Sequence, residues 1–380
     1  MRILQIVTLV SPDSAYGGPV RVAENQCTAL LSRGHDVHLA AGVRGYDAAP
    51  DMVGAVPATL FPVRTTIPGI GFAGLRAAGL VRWVRRHAGE FDVAHVHLAR
   101  DFVTLPAALA LVRAGVPVVA QPHGMIDASD RMLARPLDHY LTRPVLRAAS
   151  SVLHLTPREF DDLAGIAGDS IALRELHNGV PETTVSADVE RTVNGEVLFM
   201  ARLHPRKRPT LFVRMAAALV EAGVDAHFTL VGPDEGEGAA VANLIDEASL
   251  HGRVTYEGPL PPAQSIPRMS DAKVYVLPSV DEPYPMSVLE AMSVGLPVVV
   301  TDTCGLAPLI AASGCGLVVA SDDIESLVAA VRTILETPGL AGEMGENSRR
   351  TVAERLDMSA VVDILEQNYR RAIFTREPVR

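Results

Sequence analysis

The sequence has 380 residues, of which 48% are hydrophobic and 21% are charged, and its formal net charge at pH 7 is −10. This length exceeds what one compact core usually holds and predicts two domains, and the hydrophobic content excludes a disordered chain. The excess of acidic over basic residues argues against a general electrostatic attraction to nucleic acid.

The cysteines and the first residues indicate the compartment. Cys27, Cys304 and Cys315 lie far apart and form no Cys-x-x-Cys pair, which argues against a disulfide framework or a structural zinc site and fits a reducing cytoplasm. The apolar opening, residues 1–10, breaks at residues 11–13, before it has the core and cleavage site of a signal peptide. No apolar run reaches the roughly 18 residues of a membrane span. We therefore expect a soluble, cytoplasmic protein.

Short β-branched runs alternate with amphipathic or alanine-rich stretches along the first half of the chain. This alternation predicts parallel strands connected by helices, which is a doubly wound α/β sheet. The predicted strands are Ile3–Thr8, Asp36–Ala40, Val93–His97, Val116–Ala120 and Ser151–Leu155. The predicted helices among them include Val20–Ser32, Phe72–His87 and Arg131–Ala149.

A polar segment, Pro181–Gly195, interrupts the alternation and is predicted to be a linker. The alternation then restarts, so we predict two Rossmann-like domains, residues 1–182 and 195–357, that face each other across a cleft. Residues 358–380 are expected to contain a helix over Met358–Ile373 and to pack back toward the N-terminal domain. The second set of predicted strands is Val197–Met200, Ala226–Val231, Arg253–Glu257, Lys273–Leu277, Pro297–Val300 and Gly316–Val319.

A glycine turn follows the first predicted strand. Gly17-Gly18-Pro19 opens a helix, and glycine lets backbone N–H groups approach an anion that the helix N-terminus favours. The turn is therefore a candidate phosphate contact. The pattern is not Gly-x-Gly-x-x-Gly, so the dinucleotide fingerprint is missing, and an ordinary strand-to-helix turn is the alternative.

A basic segment, residues 200–209, lies just past the first strand of the second domain and contains no acidic residue. A diphosphate needs such charge at the carboxyl end of a strand, where open α/β sheets bind ligands. Lysine occurs only at Lys207 and Lys273, so Lys207 stands where arginine is the usual basic residue. A solvated basic loop is the alternative. The four side chains expected to converge here are Arg202, Arg206, Lys207 and Arg208.

A second candidate segment follows the predicted strand Lys273–Leu277. Prolines at 283 and 285 keep a helix from starting before Met286, which places Glu282 in the loop and Glu290 on the helix. Carboxylates accept hydrogen bonds from sugar hydroxyls, and the free N–H groups at positions 286 and 287 suit a phosphate. Two solvated surface acids are the alternative.

Three histidines lie near predicted strand ends in the first domain. His95 and His97 share one face of a strand, a spacing that can bind metal. Neither a nearby cysteine nor a third ligand is identifiable, so packed or cleft-lining histidines are favoured over zinc. His123 follows the strand Val116–Ala120 and could bond to a substrate or to a loop backbone.

The predicted helix Phe72–His87 has apolar residues opposite four arginines. Basic amphipathic helices can rest on anionic lipid. A helix packed on the sheet with a charged outer face is the favoured interpretation.

Together these motifs resemble glycosyltransferase family 4, whose members are retaining enzymes with the GT-B fold. The segment 282–299, with Glu282 and Glu290, is very similar to the signature of that family. Residues 201–208 resemble its Gly-Arg-Leu-x-Pro-x-Lys-Gly loop. The match extends over nearly the whole chain and is strong in the second half. Shorter motifs match in order at Gly17-Gly18, Asn178-Gly179-Val180, 254–258 and 277–279.

The resemblance implies a nucleotide-diphosphate sugar donor, linked to UDP or GDP, and a carbohydrate or lipid-linked acceptor. Among the residues to which it gives catalytic roles, Arg202 and Lys207 hold the diphosphate. Glu282 holds the transferred sugar, and His123 contacts that sugar near the reacting carbon. The implied donor-binding positions are Gly18 at the diphosphate, the backbone around Leu260 at the nucleobase, Pro285, Met286 and Ser287 at the sugar, and Glu290 at the ribose.

The family's chemistry is transfer with retention through an oxocarbenium-like transition state, with no cofactor and no divalent metal in the site. Protein cations take the place of Mg²⁺, and no Asp-x-Asp stands at a strand end. The implied setting is bacterial polysaccharide or glycolipid synthesis, with possible contact to the inner face of the membrane. A nucleotide-sugar epimerase or hydrolase, or a non-catalytic binding subunit, is the alternative.

The sequence departs from the family pattern at four places. Ala201 and Arg208 replace the usual glycines of the basic loop, and Lys273 replaces a common acid. Pro181-Glu182 stands where an acid often follows Asn-Gly-Val. None of these removes a charge that the chemistry needs, but Ala201 and Arg208 put the conformation of the loop in doubt.

Overall fold

The computed structural model describes residues 1–12, 17–67, 69–128, 134–168, 170–181 and 195–375. The predicted linker falls mostly on residues 182–194, and the predicted helix Arg131–Ala149 begins on residues 131–133. Both stretches lie outside the described residues. The chain divides into two compact units, which are Met1–Gly179 with Met358–Arg380 (the N-terminal unit) and Val180–Asp357 (the C-terminal unit).

Five strands of the N-terminal unit correspond to the apolar runs predicted from the sequence, because parallel strands covered on both faces need apolar side chains throughout. Where the structure describes this unit, its strands are β1 (Arg2–Val10), β2 (Asp36–Val43), β3 (Met52–Val53), β4 (Val56–Pro62), β5 (Arg64–Thr65), β6 (Leu75–Arg76), β7 (Val93–His97), β8 (Val118–Gln121), β9 (Ser151–His154) and β10 (Leu173–Glu175). Eight of them form one sheet in the order β10-β9-β8-β7-β1-β2-β4-β3. All neighbours in it are parallel except β3 and β4, and β5 pairs with β6 in a separate antiparallel ribbon.

The helices of this unit follow its parallel strands. Up to residue 179 they are α1 (Gly17–Ser32), α2 (Ala78–His87), α3 (Thr104–Arg113), α4 (Ala134–Leu137), α5 (Arg143–Ala148) and α6 (Pro157–Ala167). A π-helical turn, Asp138–Thr142, joins α4 to α5, so the predicted helix Arg131–Ala149 is continuous over its described part.

The structure corrects one prediction in the N-terminal unit and adds strands that were not predicted. The helix predicted over Phe72–His87 begins only at Ala78, because a 3₁₀ turn at Gly71–Gly74 and strand β6 precede it. A Cβ at Gly74 would lie 2.1 Å from the carbonyl oxygen of Ile67, so the chain approaches itself too closely there for a helix. Strand β4 was not predicted, and its two prolines occupy its second and last positions, where a missing N–H costs little.

The C-terminal unit contains a sheet of six described strands, all parallel, in the order β13-β12-β11-β14-β15-β16. These strands are β11 (Glu196–Met200), β12 (His227–Val231), β13 (Val254–Gly258), β14 (Val274–Leu277), β15 (Val298–Thr301) and β16 (Gly316–Val319). The helices are α7 (Pro209–Glu221), α8 (Gly238–Glu247), α9 (Pro262–Ser270), α10 (Met286–Ser293), α11 (Ala307–Ser313), α12 (Ile324–Glu336) and α13 (Leu340–Arg355). Each predicted strand of this half is present within one or two residues of its predicted bounds.

The C-terminal helix α14 (Met358–Phe374) belongs to the N-terminal unit. Its residues Val362, Leu365 and Tyr369 are buried in the same apolar cluster as Ile3 and Val7 of β1. The sequence predicts this helix over Met358–Ile373. None of the helices in the described ranges is long and apolar enough to cross a membrane.

Candidate functional site

Two loops of the C-terminal unit carry most of the predicted site residues. One follows β11 and the other follows β14, and these strands are neighbours in the sheet. The backbone N–H of Val280 donates to the carbonyl of Arg206 over 2.9 Å, which ties the two loops together. The N–H of Gly305 donates to the carbonyl of Glu282 over 2.8 Å and fixes the second loop from its other side. The Glu282 side chain is therefore held beside the basic loop.

Glu282 forms the central ion pair of the site. Its Oε2 lies 2.5 Å from Nζ of Lys207 and 3.3 Å from a guanidinium nitrogen of Arg206. The Lys207 and Glu282 side chains are 13% and 10% exposed, whereas Arg206 is 48% exposed. The lysine and the glutamate thus form a nearly buried pair, and the arginine covers it from the solvent side.

Charge, rather than burial, decides the ionisation of Glu282. Burial alone would raise the pKa of this carboxyl, but the charges and hydrogen bonds of Lys207 and Arg206 hold it below its usual value. Glu282 is therefore an anion at neutral pH, and its free oxygen can accept a hydrogen bond from a hydroxyl group.

Arg202 has a different partner. One of its guanidinium nitrogens lies 2.9 and 2.6 Å from the two carboxylate oxygens of Glu235. The Glu235 backbone N–H donates to the carbonyl of Leu203 over 3.1 Å, which places the two loops side by side. Gly232 allows this approach, because a Cβ there would lie 2.1 Å from the carbonyl oxygen of Ala201.

Arg208 points to a third partner and has an unusual backbone. Its φ is 56° and its ψ is 51°, the left-handed conformation that favours glycine. The guanidinium donates a hydrogen bond to the carbonyl of Ser321. The resemblance gives this position as a glycine, and the observed backbone supplies the physical reason.

In the structure each of the four basic side chains has a partner from outside the basic segment. Arg202 is paired with Glu235, Lys207 and Arg206 with Glu282, and Arg208 with a backbone carbonyl. The basic segment has no acid of its own, but later segments of the chain supply the acids.

Helix α10 supplies the other half of this site. It starts after Pro285, so the N–H groups of Met286 and Ser287 lie in its first turn, where α-helical N–H groups have no acceptor within the helix. The Tyr275 hydroxyl lies 2.9 Å from the carbonyl oxygen of Met200 and 2.7 Å from Oγ of Ser287. It therefore links the end of β11 to the helix start. Glu290, on the same helix, is only 8% exposed and is not a solvated surface acid.

Two predicted donor contacts show no special feature. Gly18 lies in the first turn of α1 and is exposed, and a Cβ there would meet nothing within 4 Å. Leu260 lies in the connection from β13 to α9 and is half-buried. Both roles stay predictions.

Three histidines of the N-terminal unit stack on one another, two of them in the interior and His123 half-buried. His95 and His97 are buried, and their rings lie nearly parallel with centroids 4.7 Å apart. Nδ1 of His97 lies 2.7 Å from Nε2 of His123, which has a φ of 56°. No group of three or more His, Cys, Asp or Glu side chains among the described residues is arranged to hold a metal ion. The three histidines are thus packed against one another, which is one of the interpretations that the sequence analysis favoured over zinc.

Helix α2 packs on the unit as the favoured interpretation predicts. Leu80 and Val84 are buried in the core, while Arg82, Arg85 and Arg86 are exposed. The arginines therefore form a charged outer face.

Sequence reasoning missed several residues of the site. It noted Arg206 only as part of the basic loop, and nothing marked Glu235 or Tyr275. A tyrosine inside an otherwise aliphatic strand was the available signal for Tyr275, because a buried hydroxyl needs a partner. In the N-terminal unit, Gln5 in the apolar strand β1 was an equivalent signal.

Two families of known proteins match the chain. Residues 17–179 match the glycosyl transferase 4-like domain, and residues 188–351 match the glycosyl transferases group 1. One relative, alpha-D-kanosaminyltransferase of Streptomyces kanamyceticus, is 28% identical over 342 residues, which are 82% of this chain and 87% of that protein.

Solved structures resemble the whole chain. Sucrose-phosphate synthase from Thermosynechococcus elongatus has a TM-score of 0.77 at 20% identity and covers 98% of this chain and 99% of its own. HepE from Anabaena, in complex with UDP and glucose, has a TM-score of 0.76 at 18% identity, with 97% and 98% covered. These neighbours confirm the predicted fold, which is GT-B with two Rossmann-like domains.

Proposed function

We propose that this chain, which belongs to the glycosyltransferases of the GT-B fold, is a retaining enzyme. It moves a hexosyl unit from a UDP- or GDP-linked sugar to a hydroxyl group of a carbohydrate or lipid-linked acceptor. The reaction is a step of polysaccharide or glycolipid synthesis.

The observation that carries the proposal is the nearly buried pair of Lys207 and Glu282. Arg206 lies beside this pair, and Glu282 stands in the loop that leads into α10. A cation and an anion held together in this way offer a donor for phosphate oxygens and an acceptor for sugar hydroxyls. The relatives' names support sugar transfer, and HepE binds UDP.

In this proposal the C-terminal unit binds the donor. Lys207 and Arg202 bind the diphosphate, so Arg202 exchanges part of its contact with Glu235 for phosphate oxygens. Glu282 accepts hydrogen bonds from the transferred sugar, and Glu290 accepts them from the ribose. Backbone N–H groups at the start of α10 favour the negative charge of the donor.

The chemical step needs charge stabilisation more than a protein base. The bond from the anomeric carbon to the diphosphate oxygen breaks, and the acceptor oxygen bonds to the same face of that carbon. The acceptor proton moves to the departing phosphate oxygen, so the products are the glycoside and the nucleoside diphosphate. Lys207 and Arg202 stabilise the charge on the leaving group, which is the role that we assign to protein cations instead of a divalent metal.

The first experiment identifies the donor. Thermal unfolding is recorded with UDP, GDP and a panel of their sugar conjugates, and the stabilising donor is then incubated with candidate acceptors. We expect a glycoside whose anomeric configuration by NMR equals that of the donor, with activity retained in EDTA. Free sugar or an epimer formed without acceptor would support the hydrolase or epimerase alternative, and inversion or a strict metal requirement would contradict the proposed mechanism.

The two lysines of the chain provide a matched control. Lys207→Ala should lower transfer about 10²-fold or more, because removing one electrostatic stabiliser of a transition state has effects of that size. Lys207→Arg should also lower transfer, because the guanidinium is larger and planar. Lys273→Ala removes the other lysine, whose Nζ donates to the carbonyl of Leu335, and should retain wild-type transfer. Equal rates in all four proteins would refute the role of Lys207.

A further inference from the structure

A chain of buried hydrogen bonds leads through the N-terminal unit to His123. Oε1 of Gln5 lies 2.8 Å from Nε2 of His97, and Nδ1 of His97 lies 2.7 Å from Nε2 of His123. Gln5 and His97 have essentially no exposed surface. They belong to the neighbouring strands β1 and β7, so the sheet itself fixes their distance.

The far end of this chain is anchored by the C-terminal helix. Nε2 of Gln5 donates to the hydroxyl of Tyr369 over 3.3 Å, and that hydroxyl lies 2.6 Å from Nδ1 of His95. Tyr369 is fully buried. A tyrosine hydroxyl has one proton, so while it accepts from Gln5 it can donate to His95. Both groups of the Gln5 amide are thereby used in the orientation that the structure shows.

Counting protons along the chain determines the state of His123. The Gln5 oxygen can only accept, so His97 carries its proton on Nε2. A neutral imidazole has one N–H, so Nδ1 of His97 presents a lone pair to His123. The proton in that contact therefore belongs to Nε2 of His123. Nδ1 of His123 then carries the lone pair.

This remaining nitrogen is an acceptor without a partner in the described part of the chain. Nδ1 of His123 is buried and forms no hydrogen bond with any described residue. Buried polar atoms without a partner are rare and costly, and the backbone of His123 has a left-handed φ of 56° in addition. Burial keeps the imidazole neutral, lowering its pKa to about 3. The protein thus holds an oriented acceptor ready at this position.

We propose that Gln5 and His97 are positioning residues, which fix His123 in the Nε2–H tautomer so that its Nδ1 accepts a hydrogen bond from a hydroxyl group of the substrate. This rests on the proposed function for the identity of the substrate, a sugar. Such an acceptor can bind a hydroxyl group, which donates a hydrogen bond, and it disfavours a group that can only accept one.

The test compares two size-matched substitutions in the same strand. His97→Phe keeps a buried ring but offers no nitrogen to His123. His95→Phe removes the neighbouring buried imidazole, which has no hydrogen bond to His123 in the structure, and is the control. Long-range ¹H–¹⁵N correlation spectra of the ¹⁵N-histidine-labelled full chain, without ligand at pH 7.5, report which nitrogen of each imidazole carries the proton.

In wild type and in His95→Phe we expect His123 to carry its proton on Nε2. In His97→Phe the ¹⁵N chemical shifts of the two His123 ring nitrogens should move toward the average of the two tautomers. A proton on Nδ1 of His123 in the wild type, or an unchanged His123 in His97→Phe, would overturn the proposal. If His97→Phe does not fold, Gln5→Met replaces it, because it removes the acceptor from His97 at similar volume, and the same shift is expected at His97 and His123.

The kinetic part uses the donor identified above. His97→Phe should lower kcat about 10-fold or more and leave the affinity for the free nucleoside diphosphate unchanged, because the positioned nitrogen acts on the sugar and not on the nucleotide. His95→Phe should lower kcat much less. Equal losses in the two variants would indicate a merely structural role and contradict the proposal. The tautomer measurement needs no substrate, so a failure of the proposed function is distinguishable from a failure of this inference.

Discussion

The pair of Lys207 and Glu282 leads to a quantitative prediction. The side chains are 13% and 10% exposed, and their charged atoms are 2.5 Å apart. At an effective dielectric constant of about 20, two unit charges about 4 Å apart interact with roughly 4 kcal/mol. Desolvation of both groups and the second cation, Arg206, reduce the net value. We therefore expect a coupling free energy of about 2 kcal/mol in a double-mutant cycle of Lys207→Met and Glu282→Gln.

The two single substitutions should differ in their cost. Glu282→Gln leaves a nearly buried ammonium group whose remaining charged neighbours, Arg206 and Arg202, both repel it. Lys207→Met leaves a carboxylate that still has Arg206 at 3.3 Å. Breaking a buried pair is most costly where the remaining charge is uncompensated. Glu282→Gln should therefore lower the free energy of unfolding more than Lys207→Met does, and the double variant should recover part of the loss.

The assay combines urea unfolding at pH 7.5 with a titration of the lysine itself. Reductive ¹³C-methylation gives two lysine signals, since Lys207 and Lys273 are the only lysines. Glu282 raises the pKa of Lys207 against the lowering effect of burial, so Glu282→Gln should lower that pKa further and leave Lys273 unchanged. Additive free energies within about 0.5 kcal/mol, together with an unmoved Lys207 titration, would refute the reasoning.

Three other predictions concern the carboxylates, the strained loop and acid stability. Glu290→Gln should weaken binding of the free nucleoside diphosphate about 10-fold in calorimetry. Glu282→Gln should leave that affinity unchanged and lower turnover. Equal losses of affinity in the two variants would contradict this division. Arg208→Gly and Arg208→Ala both lose the hydrogen bond to Ser321, but only glycine adopts the left-handed backbone without strain. In urea, the free energy of unfolding of the glycine variant should therefore exceed that of the alanine variant by about 1 kcal/mol. Burial lowers the pKa of His95 and of His123 to about 3, so below pH 6.5 the unfolded chain binds protons that the folded chain does not. The free energy of unfolding should then fall by about 2 kcal/mol per histidine between pH 7.5 and pH 5, and a flat pH profile over that range would contradict the assigned burial.

The sequence was sufficient to predict all six described strands of the C-terminal sheet and five strands of the N-terminal one, because most of these strands are apolar. Val298, Val299 and Val300 are fully buried, as expected for a strand that is covered on both faces of a parallel sheet. Helix α2 shows the limit of the same reasoning. The apolar period of Phe72–His87 resembles one helix, but the close approach at Gly74 ends that pattern, and contacts across a turn leave no periodic signal.

The candidate site was predictable as a set of residues and not as a set of contacts. Glu282, Lys207 and Glu290 stand in motifs of fixed spacing, so their types and positions were visible. The pairing of Arg202 with Glu235 joins residues 33 positions apart, and only the folded loops bring them together. A segment that contains no acid is thus not an unneutralised segment, because neutralisation is a property of the fold.

Backbone strain is the other feature that the sequence did not reveal. Four non-glycine residues in the described ranges have a positive φ, and they are His123, Arg208, Ser249 and Asp281. His123 is a candidate site position. Arg208 follows Lys207 in the basic loop, and Asp281 precedes Glu282. Non-glycine residues in this conformation persist where surrounding contacts hold them, and they concentrate at functional sites. Three of the four strained positions therefore lie in loops that the motifs had already singled out, and Ser249 does not.

The buried polar chain of the N-terminal unit is best explained by orientation and not by stability. Gln5, His97 and Tyr369 stand on three separate elements, and their positions in the core could be filled by apolar side chains. Exchanging a satisfied buried polar group for an apolar one of similar shape is often neutral or stabilising, so the fold itself does not require this chain. What an apolar core could not do is determine which nitrogen of His123 carries the proton. A hydrogen-bonded path from strand β1 through His97 does so with groups that stay neutral, and it leaves Nδ1 of His123 as an acceptor without a partner among the described residues.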